Sequence, residues 1–405
     1  MKSPALSTTA ARIRPPVFGQ LQLRVKELLA RGGDLVPLHI GDTYMSPPAA
    51  AMDAMSALDG RNPELFRYGG TQGTDALREA LAEEILARRG LVVDAERELL
   101  VGAGGTHALA CVARATLDPG DEVLMLSPYW PLAPGIVLST GAVPVEVSAS
   151  PALYRDASFD LAAALRARVT PRTKAVYFVS PNNPDGKILS RAALEQIAAV
   201  AEERDLWVFA DEVYADHAFD AAHVSFGTLD AARGRTVLLY SLSKSHALAG
   251  CRVGYAVAPE PVVAAARRVS THSVFNVPVG LQRVAVAALG DATFVQTARD
   301  AYRAARDVTA ELLRGAPVRF SLAEGATYLF LDLGPALDAL EAREGKRPAA
   351  SRVLESAVDR GVLLAPGDAF GDYPEHARLC YTAVPEAQLR VGVGRLVEAL
   401  AELTA

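Results

Sequence analysis

Three short polar segments contain the side chains best suited to chemistry in this 405-residue sequence. Residues 180–184 read Ser-Pro-Asn-Asn-Pro, residues 211–214 read Asp-Glu-Val-Tyr, and residues 241–244 read Ser-Leu-Ser-Lys. Together they supply a carboxylate, a phenol, amides and an amine, and a lysine amine forms covalent bonds with carbonyl carbons. Only six lysines stand beside 35 arginines, and a guanidinium is not an amine nucleophile at neutral pH. Chemistry that needs an amine therefore has few candidates, of which Lys244 is the most suggestive.

A glycine-rich segment at 102–107, Gly-Ala-Gly-Gly-Thr-His, is a candidate phosphate site. It lies between a predicted strand and an alanine-rich predicted helix, where free amides and the helix dipole favour an anion. Arg252, eight residues beyond Lys244, adds a cation suited to bidentate phosphate binding. Two other interpretations remain. One is a dinucleotide-binding loop, although GxGxxG would require glycine where His107 stands, and the other is a tight turn without a ligand.

The elements that must position these residues follow an alternating pattern between about 94 and 260. Aliphatic or β-branched runs alternate with alanine-rich stretches, which is typical of a parallel sheet built from βα units. We predict strands at 99–101, 122–126, 142–147, 174–179, 206–210, 236–240 and 253–257. We predict helices at 106–116, 161–168 and 190–204, the last with Ser190 as N-cap. Ligands of open parallel sheets bind at the carboxyl ends of the strands, so the three polar segments should meet in one crevice.

The alternation of apolar runs and alanine-rich stretches ends at about 260, and the pattern after it favours a second domain. Long Ala/Arg-rich helices are predicted at 262–270, 279–289 and 292–315, with strands near Phe330 and Leu379 and an apolar helical stripe at 392–403. We therefore predict an α/β fold: a mostly parallel seven-stranded sheet flanked by helices, with a smaller α+β domain from both chain ends. The predicted boundaries are 1–17 for an N-terminal tail or arm, 46–289 for the large domain, and 18–45 with 290–405 for the small domain.

Composition narrows the possible partners. The net charge of -6 comes from mixed signs without long single-sign runs, which argues against nucleic acid and against an anionic membrane surface. Cys111, Cys251 and Cys380 are widely spaced, so neither a disulfide framework nor a cysteine zinc site is indicated, and no metal is expected. The sequence has no secretory-type start and no apolar run of roughly 18 residues. A cytoplasmic protein is the simplest expectation.

Residues 241–254, Ser-Leu-Ser-Lys-Ser-His-Ala-Leu-Ala-Gly-Cys-Arg-Val-Gly, resemble the lysine signature of the class I/II aminotransferases. This family contains the fold type I pyridoxal-phosphate enzymes that are similar to aspartate aminotransferase. Further matches in family order, spanning about 41–378, are Tyr68 with Gly73 and Leu77-Arg78, Gly104-Gly105-Thr106, Pro128 to Pro131, Asn182 to Gly186, Asp211 to Tyr214, Pro366 to Gly371, and Arg378. The resemblance thus covers nearly the whole chain.

The resemblance implies a catalytic role for Lys244, Asp211 and Tyr214 with pyridoxal 5'-phosphate as cofactor. Lys244 would form a Schiff base with the cofactor aldehyde and later move the substrate Cα proton. Asp211 would pair with the pyridine nitrogen and keep it protonated, which makes the ring an electron sink. Tyr214 and Asn183 would bind the phenolic oxygen, and Trp130 would stack on the ring.

The resemblance also implies how phosphate and substrate are held. Gly105 and Thr106 would bind the phosphate through their amides, and Ser241 and Arg252 through their side chains. Tyr68 would reach the phosphate in a neighbouring subunit, so the active unit would be a homodimer. The implied substrate-binding residues are Gly41, Asn183 and Arg378, with Arg378 gripping the α-carboxylate.

Some positions depart from the family pattern and bear on the substrate. Thr106 stands where some members have a lysine that binds acidic side chains, Asp185 stands where threonine is common, and residues 271–278 contain no arginine. We therefore expect a neutral, aromatic or unusual amino acid rather than a dicarboxylic one, with Tyr44, Trp130 and His272 as possible pocket walls.

Transamination between an amino acid and a 2-oxo acid is the activity we expect. The same residues would also support a lyase, cyclase, decarboxylase or oxidase acting on an amino acid, because the fold and cofactor do not determine the reaction. A noncatalytic pyridoxal-phosphate sensor is less favoured, since such regulators usually carry a helix-turn-helix extension. A nicotinamide-dependent dehydrogenase is disfavoured by His107 and by the lysine segment.

Overall fold

The strands of the computed structural model, which describes residues 4–13 and 21–405, confirm the predicted alternation. All seven strands predicted between 94 and 260 are present, with ends shifted by at most two residues. The strands are β1 (Val36–Pro37), β2 (Leu99–Ala103), β3 (Glu122–Ser127), β4 (Val143–Ser148), β5 (Thr173–Val179), β6 (Trp207–Asp211), β7 (Thr236–Ser241), β8 (Val253–Val257), β9 (Tyr328–Asp332), β10 (Val362–Leu363), β11 (Ala365–Pro366) and β12 (His376–Cys380).

The central sheet has seven strands in the order β2-β8-β7-β6-β5-β3-β4. Only β8 runs antiparallel to its neighbours, β2 and β7. The other neighbours are parallel, which confirms the mostly parallel sheet. Strands β3, β6 and β7 are buried along nearly their whole length. Near-continuous apolar runs of this kind are expected where helices cover both faces of a sheet.

The helices cover the central sheet and build most of the second body. They are α1 (Thr8–Arg12), α2 (Gln22–Ala30), α3 (Ala49–Ser56), α4 (Asp75–Arg89), α5 (Gly105–Thr116), α6 (Ala133–Ser139), α7 (Ser150–Arg155), α8 (Leu161–Arg166), α9 (Arg191–Glu203), α10 (Leu242–Ser245), α11 (Glu260–Thr271), α12 (Val279–Leu289), α13 (Phe294–Leu312), α14 (Gly334–Glu344), α15 (Ser351–Asp359) and α16 (Glu386–Thr404). None of the helices in the described ranges is long and apolar enough to cross a bilayer.

Local chemistry explains where several helices begin. The Ser190 hydroxyl accepts a hydrogen bond from the Ala193 amide at 3.2 Å, so Ser190 is the N-cap of α9 as predicted. Helix α13 starts at Phe294, two residues later than predicted, because the Asp291 carboxylate accepts from the amides of Thr293 and Phe294 at 3.0 and 3.1 Å. An aspartate that binds these free amides stabilises the first turn.

A second hydrophobic core lies around a three-stranded antiparallel sheet in the order β11-β12-β9. Strand β1 pairs in parallel with β10, so the segment beginning at Val36 packs with this later part of the chain as predicted. The side chains of α13 and α16 contribute to the same core. Burying each large aliphatic side chain here contributes roughly 1.5–3 kcal/mol. The boundaries at 45/46 and 289/290 stay a prediction, and residues 1–3 and 14–20 of the predicted arm and small domain lie outside the described residues.

Candidate active site

A cavity of about 290 Å³ opens at the carboxyl edge of the central sheet. Strand register explains why the three polar segments meet there: Val179 lies beside Asp211, and Asp211 lies beside Leu239. All predicted site residues except Tyr68 line the cavity, together with several that we did not predict. Its lining comprises Ile40, Gly41, Gly105, Thr106, Trp130, Pro131, Leu132, Val179, Asn183, Asp211, Val213, Tyr214, Leu239, Ser241, Ser243, Lys244, Ala249, Arg252, Tyr328 and Arg378.

Lys244 lies on the one-turn helix α10, immediately after β7. The Ser241 hydroxyl accepts a hydrogen bond from the Ser243 amide at 3.2 Å, which caps this short helix and fixes the lysine relative to the sheet. The Lys244 ammonium donates to the Gly41 carbonyl oxygen. The Lys244 side chain thus connects the central sheet to Gly41, in the segment that follows β1.

Asp211 ends β6 with its carboxylate buried in the cavity wall. Its Oδ2 accepts from the Tyr177 hydroxyl at 2.9 Å, and its Oδ1 accepts from the Val213 amide at 3.3 Å. Burial raises the pKa of Asp211 to about 6, although both hydrogen bonds act in the opposite direction. A cation held against this carboxylate would stabilise its ionised form.

Arg378, on β12, is a buried cation that also lines the cavity. Its Nη1 donates to Asn183 Oδ1 at 2.9 Å and its Nη2 to the His39 carbonyl at 2.7 Å. The guanidinium carbon lies 4.3 Å from the ring centroid of Tyr328 and 4.8 Å from that of Phe370. Its Nε has no hydrogen-bond partner in the described structure. A buried guanidinium with an unsatisfied donor favours an anionic ligand.

Tyr214 and Tyr328 form a pair of buried phenols that line the same cavity. Their hydroxyl oxygens lie 2.6 Å apart, and their rings meet edge to face. Burial raises the pKa of Tyr214, so it remains a neutral hydrogen-bond donor at physiological pH. Tyr328 was missed by our sequence reasoning. The sequence places Tyr328 on the predicted strand near Phe330. That position indicates that the side chain is buried, but it does not indicate that the side chain faces the cavity.

The turn at the start of α5 packs directly against Arg252. Gly104 has φ +80°, and a Cβ at this position would lie 2.4 Å from Arg252 Nη2. A Cβ on Gly254 would lie 2.2 Å from the Gly105 amide nitrogen, so only glycine permits this close approach of β8. His107 supports the turn, because its Nδ1 accepts from the Ala103 amide at 3.1 Å. The amides at this helix N-terminus and the nearby guanidinium are donors suited to an anion.

The turn that carries Asn183 is tied to the loop that carries Trp130. The Asn182 amide donates to the Pro128 carbonyl at 2.9 Å and to Asp185 Oδ1 at 2.8 Å. Asp185 is buried, and burial raises its pKa to about 6. Asp185 therefore acts as an internal acceptor that organises this turn.

The pocket predicted for the substrate side chain, with Tyr44, Trp130 and His272 as walls, is only partly present. Trp130 lines the cavity, whereas Tyr44 and His272 do not. Ile40, Pro131 and Leu132 line it instead, and Ile40 and Leu132 are about half exposed. Tyr68 lies outside the cavity with 85% of its surface exposed, and its ring centroid is 4.9 Å from that of Phe275.

The residues present fit pyridoxal 5'-phosphate. An anion site, a buried carboxylate and an amine surround one cavity, and they match the phosphate, the ring nitrogen and the aldehyde of that group. The unsatisfied Arg378 guanidinium is a separate site, suited to the carboxylate of an amino acid.

Comparison with known proteins agrees with this arrangement. A family model described as aminotransferase class I and II matches residues 33–396. The chain is similar to the aspartate/prephenate aminotransferase of Thermus thermophilus, with 33% identity over 399 residues and 98% of each chain covered. It is also 33% identical to an arginine–pyruvate transaminase of Pseudomonas aeruginosa, covering 87% of this chain and 86% of that one. Among solved structures, aspartate aminotransferase from Rhizobium meliloti has a TM-score of 0.90 at 25% identity, covering 98% and 99%.

Proposed function

Because this chain belongs to the class I and II aminotransferases, which are pyridoxal-phosphate-dependent transferases, we propose how its own residues divide the work. The enzyme transfers an amino group between an amino acid and a 2-oxo acid. In our proposal Lys244, Asp211 and Arg378 carry this reaction. The observation behind it is that an amine, a buried carboxylate and a buried guanidinium with an unsatisfied donor line the same cavity.

Pyridoxal phosphate, when bound, supplies an electron sink for negative charge that develops at the substrate Cα. In our proposal Asp211 would pair with its ring nitrogen and would favour the cationic form of that nitrogen. Lys244 would hold the cofactor through its amine, and the same amine would move the substrate Cα proton. Tyr214 donates a hydrogen bond to the phenolic oxygen. Gly105, Thr106, Ser241 and Arg252 would bind the phosphate, Asn183 would also bind the phenolic oxygen, and Trp130 would stack on the ring.

Arg378 is proposed to bind the substrate α-carboxylate. Two of its five N–H groups are used by Asn183 and by the His39 carbonyl, so three remain for a ligand. A carboxylate that accepts two of them would be fixed in both position and orientation. Orientation matters because the bond that breaks at Cα must align with the π system of the cofactor.

We propose a neutral or aromatic side chain for the preferred amino acid. The cations that line the cavity are Lys244, Arg252 and Arg378, and each already has a role above. The residues Ile40, Pro131 and Leu132 offer apolar surface, and Thr106 offers no charge. An aspartate-type substrate is the second candidate, because several relatives are named aspartate/prephenate aminotransferases.

We further propose a homodimer in which Tyr68 reaches the cofactor phosphate of the neighbouring subunit. Tyr68 and Phe66 are 85% and 76% exposed, and Met52 and Met55 of α3 are also exposed. All four side chains lie within residues 52–68, and exposed apolar surface favours a protein partner. A cytoplasmic location stays a prediction.

The test is a half-reaction panel on the purified enzyme loaded with pyridoxal phosphate. We expect leucine, phenylalanine and similar amino acids to yield their 2-oxo acids more rapidly than aspartate, and Lys244→Ala to abolish this. Release of ammonia or carbon dioxide, or consumption of oxygen, would instead indicate a lyase, decarboxylase or oxidase. Faster turnover of aspartate would overturn the proposed side-chain preference.

Thr106→Lys tests the reason for that preference. A cation added at this wall should raise kcat/KM for aspartate relative to phenylalanine by roughly 10- to 100-fold, the effect of one charge-assisted hydrogen bond. Thr106→Ser, which adds no charge, is the matched control.

A further inference from the structure

We propose that Tyr328 is a positioning residue with two contacts: its hydroxyl orients the Tyr214 hydroxyl, and its ring orients the substrate anchor Arg378. The inference rests on the proposed function and assigns a role to a residue that the sequence did not indicate. Tyr328 is 1% exposed, and it lines the cavity from β9, a strand outside the central sheet.

The hydroxyl of Tyr328 has a defined direction of donation once the site is loaded. It lies 2.6 Å from the Tyr214 hydroxyl, and each phenol carries only one proton. When Tyr214 donates its proton to a ligand oxygen, the contact between the two phenols persists only with Tyr328 as the donor. A hydrogen bond received by Tyr214 polarises its O–H group and strengthens its own donation.

The ring of Tyr328 contacts Arg378. Its centroid lies 4.3 Å from the guanidinium carbon of Arg378, and Phe370 covers the guanidinium from 4.8 Å. Two aromatic rings around one guanidinium fix its plane, which sets the direction of its free N–H groups.

Gly41 makes this placement possible. A Cβ on Gly41 would lie 2.0 Å from the Tyr328 hydroxyl oxygen, so a side chain there would displace the phenol. The Gly41 carbonyl also accepts from Lys244. Tyr328 therefore contacts three parts of the site. These are Gly41, whose carbonyl accepts from Lys244, the Tyr214 hydroxyl, and the guanidinium of Arg378.

Tyr328→Phe is the decisive variant, because it removes one oxygen and keeps the ring. Without its donor, Tyr214 becomes a weaker donor to the phenolic oxygen of the cofactor, which then holds a proton more tightly. The pH midpoint of the cofactor's visible absorbance should rise by roughly half a pH unit. The affinity for 3-phenylpropanoate, a carboxylate without an amino group, should stay within about twofold of wild type.

Tyr328→Leu and Phe370→Leu separate the two roles. Both should weaken 3-phenylpropanoate binding by roughly fivefold through loss of a ring from the guanidinium. Phe370→Leu should leave the pH midpoint unchanged, since Phe370 has no hydroxyl to offer Tyr214. Thermal unfolding of each loaded enzyme establishes that the variants are folded.

An unchanged midpoint in Tyr328→Phe would overturn the proposal. An equal loss of affinity for 3-phenylpropanoate in Tyr328→Phe and Tyr328→Leu would also overturn it, because it would indicate a general structural role. If the wild-type enzyme showed no cofactor band, or no binding of either 3-phenylpropanoate or maleate, the proposed function would fail instead. These outcomes are therefore distinguishable.

Discussion

Replacing Arg378 by lysine tests the carboxylate anchor while keeping the positive charge. The guanidinium is fixed by Asn183, the His39 carbonyl and two aromatic rings, and its remaining N–H groups are free for a ligand. A lysine ammonium has three donors around one nitrogen, so it cannot satisfy these partners and also grip both oxygens of a carboxylate.

The expected loss follows from the contacts. One charge-assisted hydrogen bond contributes about 1.5–3 kcal/mol, and guanidinium stacking about 0.5–1 kcal/mol. The total of about 2–4 kcal/mol corresponds to a roughly 30- to 1000-fold fall in kcat/KM. The assay is the change in cofactor absorbance on mixing the loaded enzyme with phenylalanine under single-turnover conditions.

A parallel measurement with phenylethylamine, which lacks the carboxylate, separates anchoring from general damage. Arg378→Lys should reduce the rate with phenylalanine far more than the rate with phenylethylamine. Arg319→Lys, at an exposed arginine paired with Asp332, is the control and should stay within about twofold of wild type. Equal losses with the two substrates, or no loss with phenylalanine, would refute the assignment of Arg378.

Three further predictions address the cofactor, the turn at Asp185 and the dimer. Burial raises the pKa of Asp211 to about 6, so as pH falls below 6 a proton competes with the ring nitrogen for this carboxylate. Below pH 6 the affinity of the wild-type enzyme for pyridoxal phosphate should fall with each pH unit by up to tenfold more than the affinity of Asp211→Asn does. Equal pH dependence of the two affinities would contradict this. Burial raises the pKa of Asp185 to about 6, so its ionisation lowers stability as pH rises from about 4 to 6, by at most about 3 kcal/mol. Asp185→Asn should flatten the pH dependence of the unfolding temperature in that window, and an unchanged slope would disprove the cause. Mixing inactive Lys244→Ala with impaired Tyr68→Ala subunits should restore activity, because mixed dimers contain one intact site; no recovery would argue against a shared site.

Much of the fold was predictable because the strands of the central sheet are short apolar runs that end in polar residues. These runs placed the ends of β5, β6 and β7 within one residue of the observed ends, which is why the crevice was predicted at the correct edge. Two-residue strands such as β1 and β10 leave no periodic signal, because they form only through pairing with distant segments.

The unpredicted part of the site comes from tertiary contacts. Tyr328 and Tyr214 are separated by 114 positions, and their contact requires β9 to lie against the edge of another sheet. Phe370 is likewise brought to Arg378 only by the packing of the second body. Ile40 and Leu132 look like core residues in sequence, and only the folded structure shows that they line an opening.

The cavity draws its proposed cofactor-binding residues from one continuous stretch, 105–252, whereas Gly41, Tyr328 and Arg378 come from segments on either side of that stretch. The proposed carboxylate anchor is thus encoded apart from most of the proposed cofactor contacts, in gene segments that flank them. We expect an exchange of 36–45 and 326–382 with those of a relative to change how the α-carboxylate is held. Moving the side-chain preference as well would require substitutions at Thr106, Pro131 and Leu132, which lie within the cofactor-binding stretch.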